Sequence, residues 1–191
     1  MTILYAGILL FSLPHLYSML MPGARDGLKA RLGENAWKGL YSAISLVGLG
    51  LMIWAFLQSR SGPLAADWVF VPADWSKHVT MLLVLLGLIS IGASHGKGYL
   101  KLWLRNPMSI GIGLWAAGHL LANGKRTDVY MFGTFLVVAV LDIVLSTARG
   151  KVPTHQPRLR ADIIAVLAGL VLYVILLFGF HPYVLNLPVA G

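Results

Sequence analysis

The chain has 191 residues, of which 58% are hydrophobic and only 12% charged, with a mean hydropathy of +0.77. A soluble domain of this size carries about 25% charge and would have nowhere to hide so much apolar surface. The formal net charge of +8 does not point to nucleic acid, because the basic residues sit in short loops between apolar runs. The absence of cysteine excludes disulfides, thiolate metal sites, iron–sulfur clusters and cysteine nucleophiles.

A hydrocarbon core of about 30 Å needs roughly 20 mostly apolar residues of helix. Six stretches meet that length approximately: 2–20, 39–58, 78–95, 106–122, 129–147 and 161–180. They predict an all-α, polytopic membrane helix bundle of about six spans, forming one transmembrane domain over residues 1–191. The first stretch lacks a basic leading region and a small-residue cleavage site, so it reads as a retained span. Pro14 within it is expected to break or kink the helix and free a carbonyl near residue 10.

Between the first two spans, Leu28, Leu32, Ala36 and Leu40 recur at helical spacing, with Arg25, Lys29, Arg31, Glu34 and Lys38 around the turn. This predicts an amphipathic helix lying in the membrane interface; a solvated basic turn is the alternative. With six spans, one side collects Arg25, Lys29, Arg31, Lys38, Lys97, Lys101, Arg105, Arg149, Lys151, Arg158 and Arg160. The other side keeps only Arg60, Lys77, Lys125 and Arg126. The asymmetry makes the first side cytoplasmic and puts both termini outside. Trp37, Trp68, Trp75 and Trp103 fall near span ends and read as interfacial anchors.

Of the six histidines, His155 reads as solvated in a basic loop, His78 and His95 lie at the two ends of the third span, and His181 follows the last span at the outer surface. Only His15 and His119 fall well inside spans, where an ionisable residue is a functional candidate by default. At 1.5 Å per residue, His119 lies about 18–20 Å above the cytoplasmic end of its span, and His15 about 20 Å below the outer end of its own. Both depths are near the midplane.

Met108, Ile112 and Trp115 share the His119 stripe, with Gly111 beside it. Phe11, Ser12, Ser18 and Met19 flank His15, with Gly7 two turns back. Two opposed imidazoles among apolar walls and small residues describe a haem b site, with His15 and His119 as the iron ligands and Trp115, Met108 and Gly111 lining it. The alternative is a buried histidine that only hydrogen-bonds a neighbouring helix. A non-haem metal would want a third ligand at the same depth. Asp142 is the one carboxylate near that depth; it would either fix a ligating histidine's tautomer or pair with a basic side chain such as Arg149. Ser109, Gly113 and Ala117 form a small-residue stripe suited to close helix packing, within the chain or in an oligomer. Asn123-Gly124 reads as a helix stop. No nucleotide loop, Ser-His-Asp arrangement or zinc motif is present, and no catalytic residue is assigned.

Taken together, "LPHLY", "RDGLKARLGENAWKGLYSAISLVGLGLMIW", "DWSKHV", "RNPMSIGIGLWAAGHLLANG", "YMFGTFLVVAVLDI" and the closing "HPY" resemble the NnrU protein family over nearly the whole chain. The resemblance implies a multi-pass protein of the bacterial inner membrane, linked to nitrite and nitric oxide respiration. It also implies kinship with the 15-cis-zeta-carotene isomerase, a haem-dependent enzyme with histidine axial ligands. The positions matching those ligands are His15 and His119. Where relatives often read Arg-His-Pro, this chain reads Arg105-Asn106-Pro107, so no role of that histidine carries over. Three functional readings follow: a haem-dependent sensor, carrier or assembly factor with nitric oxide as a ligand; a haem-dependent isomerase of a carotenoid or other lipid-soluble polyene; and a structural membrane protein without cofactor.

Overall fold

The computed structural model describes residues 1–61 and 66–187. Among these the helices run α1 Thr2–Leu20, α2 Pro22–Leu32, α3 Glu34–Gln58, α4 Ser76–Ser94, α5 Tyr99–Leu104, α6 Pro107–Ala122, α7 Arg126–Ala148 and α8 Leu159–Ile175. A π-helical turn, Leu176–Phe180, continues α8 into the short α9, His181–Tyr183. The expectation of an all-helical chain holds.

Among the described residues five helices are long and apolar enough to cross a membrane: α1, α3, α4, α7 and the continuous run Leu159–Tyr183. Their flanks carry many exposed large apolar side chains. On α8 alone Ile163, Ile164, Leu167, Val171 and Ile175 are each more than half exposed, as befits a surface solvated by lipid rather than water. The helix expected at 106–122 forms, but its 16 residues span only about 24 Å, short of the hydrocarbon core.

The chain packs as two compact units, Met1–Phe70 with Gly124–Thr134, and Val71–Asn123 with Phe135–Gly191. In the first, α1 runs antiparallel to α3 at a distance set by glycine. A β-carbon on Gly7 would stand 2.8 Å from the Met52 nitrogen, and one on Gly48 would collide with the Phe11 nitrogen and the Leu10 carbonyl carbon. Small residues are what let two helix backbones approach this closely. Pro14 does not break α1, which continues through it; the Gly48 contact falls on the turn whose carbonyl Pro14 leaves without its usual donor.

The leucine spacing of 28, 32, 36 and 40 belongs to two helices rather than one. Gly33, with φ +84, stops α2, and α3 starts at Glu34, so the second span begins earlier than its hydropathy suggested. No residue of α2 is buried. Trp37 is not an exposed anchor; it is 8% exposed, between Tyr17 and Tyr41. Residues 66–70 lie against 124–126: Val69 donates its N–H to the Gly124 carbonyl at 2.8 Å, and Arg126 its N–H to the Asp67 carbonyl at 2.9 Å. The expected stop at Gly124 has a steric cause as well, because a β-carbon there would run into the Phe70 carbonyl oxygen.

In the second unit α4 is the central helix, antiparallel to both α6 and α8. Gly87 and Gly111 meet backbone to backbone between α4 and α6, and Gly92 meets Ala165 between α4 and α8. Hydroxyls tie the first pair across the helices: Thr80 donates to the Gly118 carbonyl at 2.6 Å and Ser90 to the Pro107 carbonyl at 2.8 Å. Asp162 of α8 accepts the first amides of α5, Tyr99 at 2.8 Å and Leu100 at 3.0 Å, supplying an acceptor for otherwise orphaned helix-start donors. His155 is not simply solvated; its Nε2 donates to the Gly98 carbonyl at 3.1 Å.

Candidate functional site

In the first unit His15 sits one turn after Phe11 on α1. Its Nδ1 lies 2.7 Å from the Phe11 carbonyl oxygen. A carbonyl can only accept, so Nδ1 carries the proton and the lone pair of the neutral ring resides on Nε2. Phe11 stacks on the imidazole at 4.4 Å between centroids, and Tyr41 of α3 closes another side at 5.1 Å. Two hydroxyls one turn from these residues, Ser18 Oγ and Ser45 Oγ, are buried without a hydrogen-bond partner. Such groups are uncommon in a folded interior and mark a place where something polar is wanted.

In the second unit His119 occupies the last turn of α6. It repeats the arrangement of His15: Nδ1 lies 2.8 Å from the carbonyl of the residue four back, here Trp115. Trp115 and His119 are brought together as expected, with centroids 4.8 Å apart, and Phe135 meets the indole edge-on at 5.2 Å. His181 was expected at the outer surface. It instead stands 6.4 Å from His119 between centroids, its ring within 22° of parallel. Its Nδ1 bonds the Leu176 carbonyl at 2.7 Å. Those two rings therefore share one level of the unit, and a midplane His119 with a surface His181 cannot both hold.

The other residues of the expected pocket go elsewhere. Met108 is 40% exposed, and Gly111 is occupied with Gly87 of α4. Asp142 Oδ2 accepts from Asn106 Nδ2 at 2.8 Å and Ser109 Oγ at 2.5 Å. Asn106 also donates to Ser146 Oγ at 3.0 Å. Gly113 faces Ala139, so part of the small-residue stripe serves packing against α7. His78 and His95 are exposed at the two ends of α4. Among the described residues no group of three or more histidine or acidic side chains could hold a metal ion.

Reading the sequence missed two buried carboxylates among the described residues, Asp162 against the start of α5 and, more deeply enclosed, Asp128. Asp128, 1% exposed, accepts from Arg60 at 2.7 Å, and the same guanidinium lies 3.9 Å over the Phe56 ring. The available signal was a carboxylate two residues inside the apolar α7, but its partner lies 68 positions away.

Apolar helices of crossing length, glycine-mediated helix packing and imidazoles held inside the helical array define an integral membrane helical protein. More particularly, the chain belongs to the NnrU family: residues 3–189 match the family described as NnrU protein. No curated relative and no solved structure matches the chain.

Proposed function

We propose that this NnrU-family protein binds haem b through His15 and His119 and serves nitrite and nitric oxide respiration as a sensor, carrier or assembly factor. The observation that carries the reading is the shared state of the two histidines. Each, within its own unit, gives Nδ1 to the carbonyl four residues back. Histidines that ligate metals donate their other ring nitrogen to such an oxygen almost without exception, which fixes the ring and raises its basicity. Neutral imidazole is a common axial ligand of haem iron. Each histidine has aromatic company within its own unit, Phe11 and Tyr41 at His15 and Trp115 at His119, as suits a ligand to a large planar apolar group, and the unsatisfied Ser18 and Ser45 hydroxyls beside His15 suit one with polar substituents.

When bound, haem would supply a redox-active iron, to which nitric oxide could bind only in exchange for one of the two histidines. The protein's own part is to hold the imidazole tautomers and to exclude water with lipid-facing helices. In the membrane we read six crossings in a single family domain, with α6 completing its passage through the flanking residues Arg105-Asn106 and Asn123-Gly124. The basic α2 lies in the cytoplasmic interface of the inner membrane and both termini are outside. Six crossings keep eleven of the fifteen lysines and arginines on one side.

The test is an absorption spectrum of the protein purified after expression with ample haem, oxidised and reduced, beside His15→Ala and His119→Ala. A Soret band that shifts or disappears in each variant is expected; its absence from the wild type would sink the haem reading. Isomerisation of an added cis-carotene by the loaded protein would replace the respiratory role with that of an isomerase.

A further inference from the structure

We propose that the end of the second unit built from residues 97–105 and 151–160 binds the headgroup of an anionic phospholipid of the bilayer in which the helices stand. The inference rests on the helices of crossing length and does not depend on haem. α4 ends at Ser94 and α8 begins at Leu159, and a helix that crosses a bilayer puts its ends at the level of the lipid headgroups. The fold gathers bases at that level. Arg158 donates its N–H to the Lys97 carbonyl at 2.8 Å, and Lys101 Nζ donates to the Ser94 carbonyl at 2.6 Å. The side chain of Asn106, next to Arg105, and the backbone N–H of Lys151 both reach Ser146, at 3.0 and 3.1 Å.

These bases lack a counter-charge from the protein. Among the described residues ion pairs engage Arg25, Lys38, Arg60 and Arg126, and none engages Lys97, Lys101, Arg105, Lys151, Arg158 or Arg160. The two carboxylates near them are turned to other donors. Asp162 takes the amides of Tyr99 and Leu100, and Asp142 takes Asn106 and Ser109. Cations at the headgroup level without carboxylates of their own complement phosphate esters. Beside them Trp103 is 74% and Tyr99 42% exposed, one turn apart on α5. Such rings belong in the headgroup layer, which selects a lipid over a free phosphate.

Arg105 is held there in a strained backbone. Its φ of 61 and ψ of −50, with the Asn106 N–H on the Leu104 carbonyl at 2.6 Å, form a γ-turn that is rare and strained for a residue with a side chain. Glycine would adopt it freely. Residues in such conformations cluster at ligand clamps. What arginine offers at this position and glycine does not is an exposed guanidinium, the group best suited to grip phosphate oxygens.

The test is native mass spectrometry of the full chain in neutral detergent, titrated with dioleoyl phosphatidylglycerol or dioleoyl phosphatidylcholine, whose acyl chains are the same. Wild type should hold the anionic lipid several-fold more tightly. Arg105→Gln and Arg158→Gln should each weaken that binding about five-fold, whereas Lys38→Gln, whose ammonium Glu34 holds at 2.8 Å, should change it little. Arg105→Gly should bind as weakly as Arg105→Gln while melting no earlier than wild type, which separates the missing guanidinium from a damaged fold. Equal retention of the two lipids overturns the proposal, as does wild-type affinity in the Arg105 variants. So does an equal loss in Lys38→Gln, which would leave only diffuse charge, or displacement of the lipid by millimolar inorganic phosphate, which would assign the site to a free anion.

Discussion

Arg60 donates to Asp128 at 2.7 Å, yet the two ends of this ion pair are unequally buried: the arginine side chain is 22% exposed and the aspartate 1%. An arginine that loses its partner can turn toward water, whereas a carboxylate so enclosed cannot. Removing one member of a buried pair costs about 3–5 kcal/mol when the other stays charged and enclosed. Arg60→Met should therefore destabilise the protein more than Asp128→Asn, which keeps an oxygen acceptor for the guanidinium. Thermal unfolding of both variants in one detergent checks the order; equal melting temperatures would refute it.

The contact between α1 and α3 makes a paired prediction. A β-carbon on Gly48 meets backbone of α1, while one on Gly50, two residues on, meets nothing within 4 Å. Backbone cannot step aside as a flexible side chain can, so Gly48→Ala should cost about 1–3 kcal/mol, as overpacked sites do. Gly50→Ala should be neutral or stabilise by up to about 1 kcal/mol, because alanine is the better helix former. Unfolding curves of the two single variants suffice. A Gly48→Ala protein as stable as Gly50→Ala would mean the helices are not held this close.

These examples also show what could be read before the fold was known. Five of the expected spans were legible because lipid demands long apolar helices, and that demand is written in composition. The break at Gly33 was not, since leucine spacing runs through it unaltered while a single φ of +84 divides the helix. Trp37 has the composition of a membrane-belt residue, and only its neighbours Tyr17 and Tyr41 distinguish an internal cluster from an anchor. The proximity of Trp115 to His119 followed from helical periodicity. That of His181 to His119 did not, because it depends on a π-turn and on packing across 62 residues of chain.

Asn106 and Asp142 form a second coupled pair. Asn106 Nδ2 bridges Asp142 Oδ2 and Ser146 Oγ, so truncating it removes two hydrogen bonds, one of them to a carboxylate. Asn106→Ala should cost about 1–3 kcal/mol. Replacing Asp142 with leucine at the same time removes the acceptor that was left wanting. The double variant should therefore lose less than the sum of the single ones, with a coupling of roughly 1 kcal/mol. Additive losses would show that the two residues act separately.

The shortness of α6 makes its crossing the most informative point of the topology. If α6 crosses, Lys97 before it and Lys125 after it lie on opposite sides of the membrane. If it enters and returns, they share a side, and α7 and α8 both reverse direction. That reversal would move Arg149, Lys151, Arg158 and Arg160 outward and dilute the basic asymmetry that ordinarily fixes orientation. Because the chain has no cysteine, Lys97→Cys and Lys125→Cys each create a unique thiol without any background to remove. In intact cells a membrane-impermeant maleimide should label Lys125→Cys from outside and reach Lys97→Cys only after the membrane is opened. Equal labelling of both from one side would reduce the crossings to the five long helices.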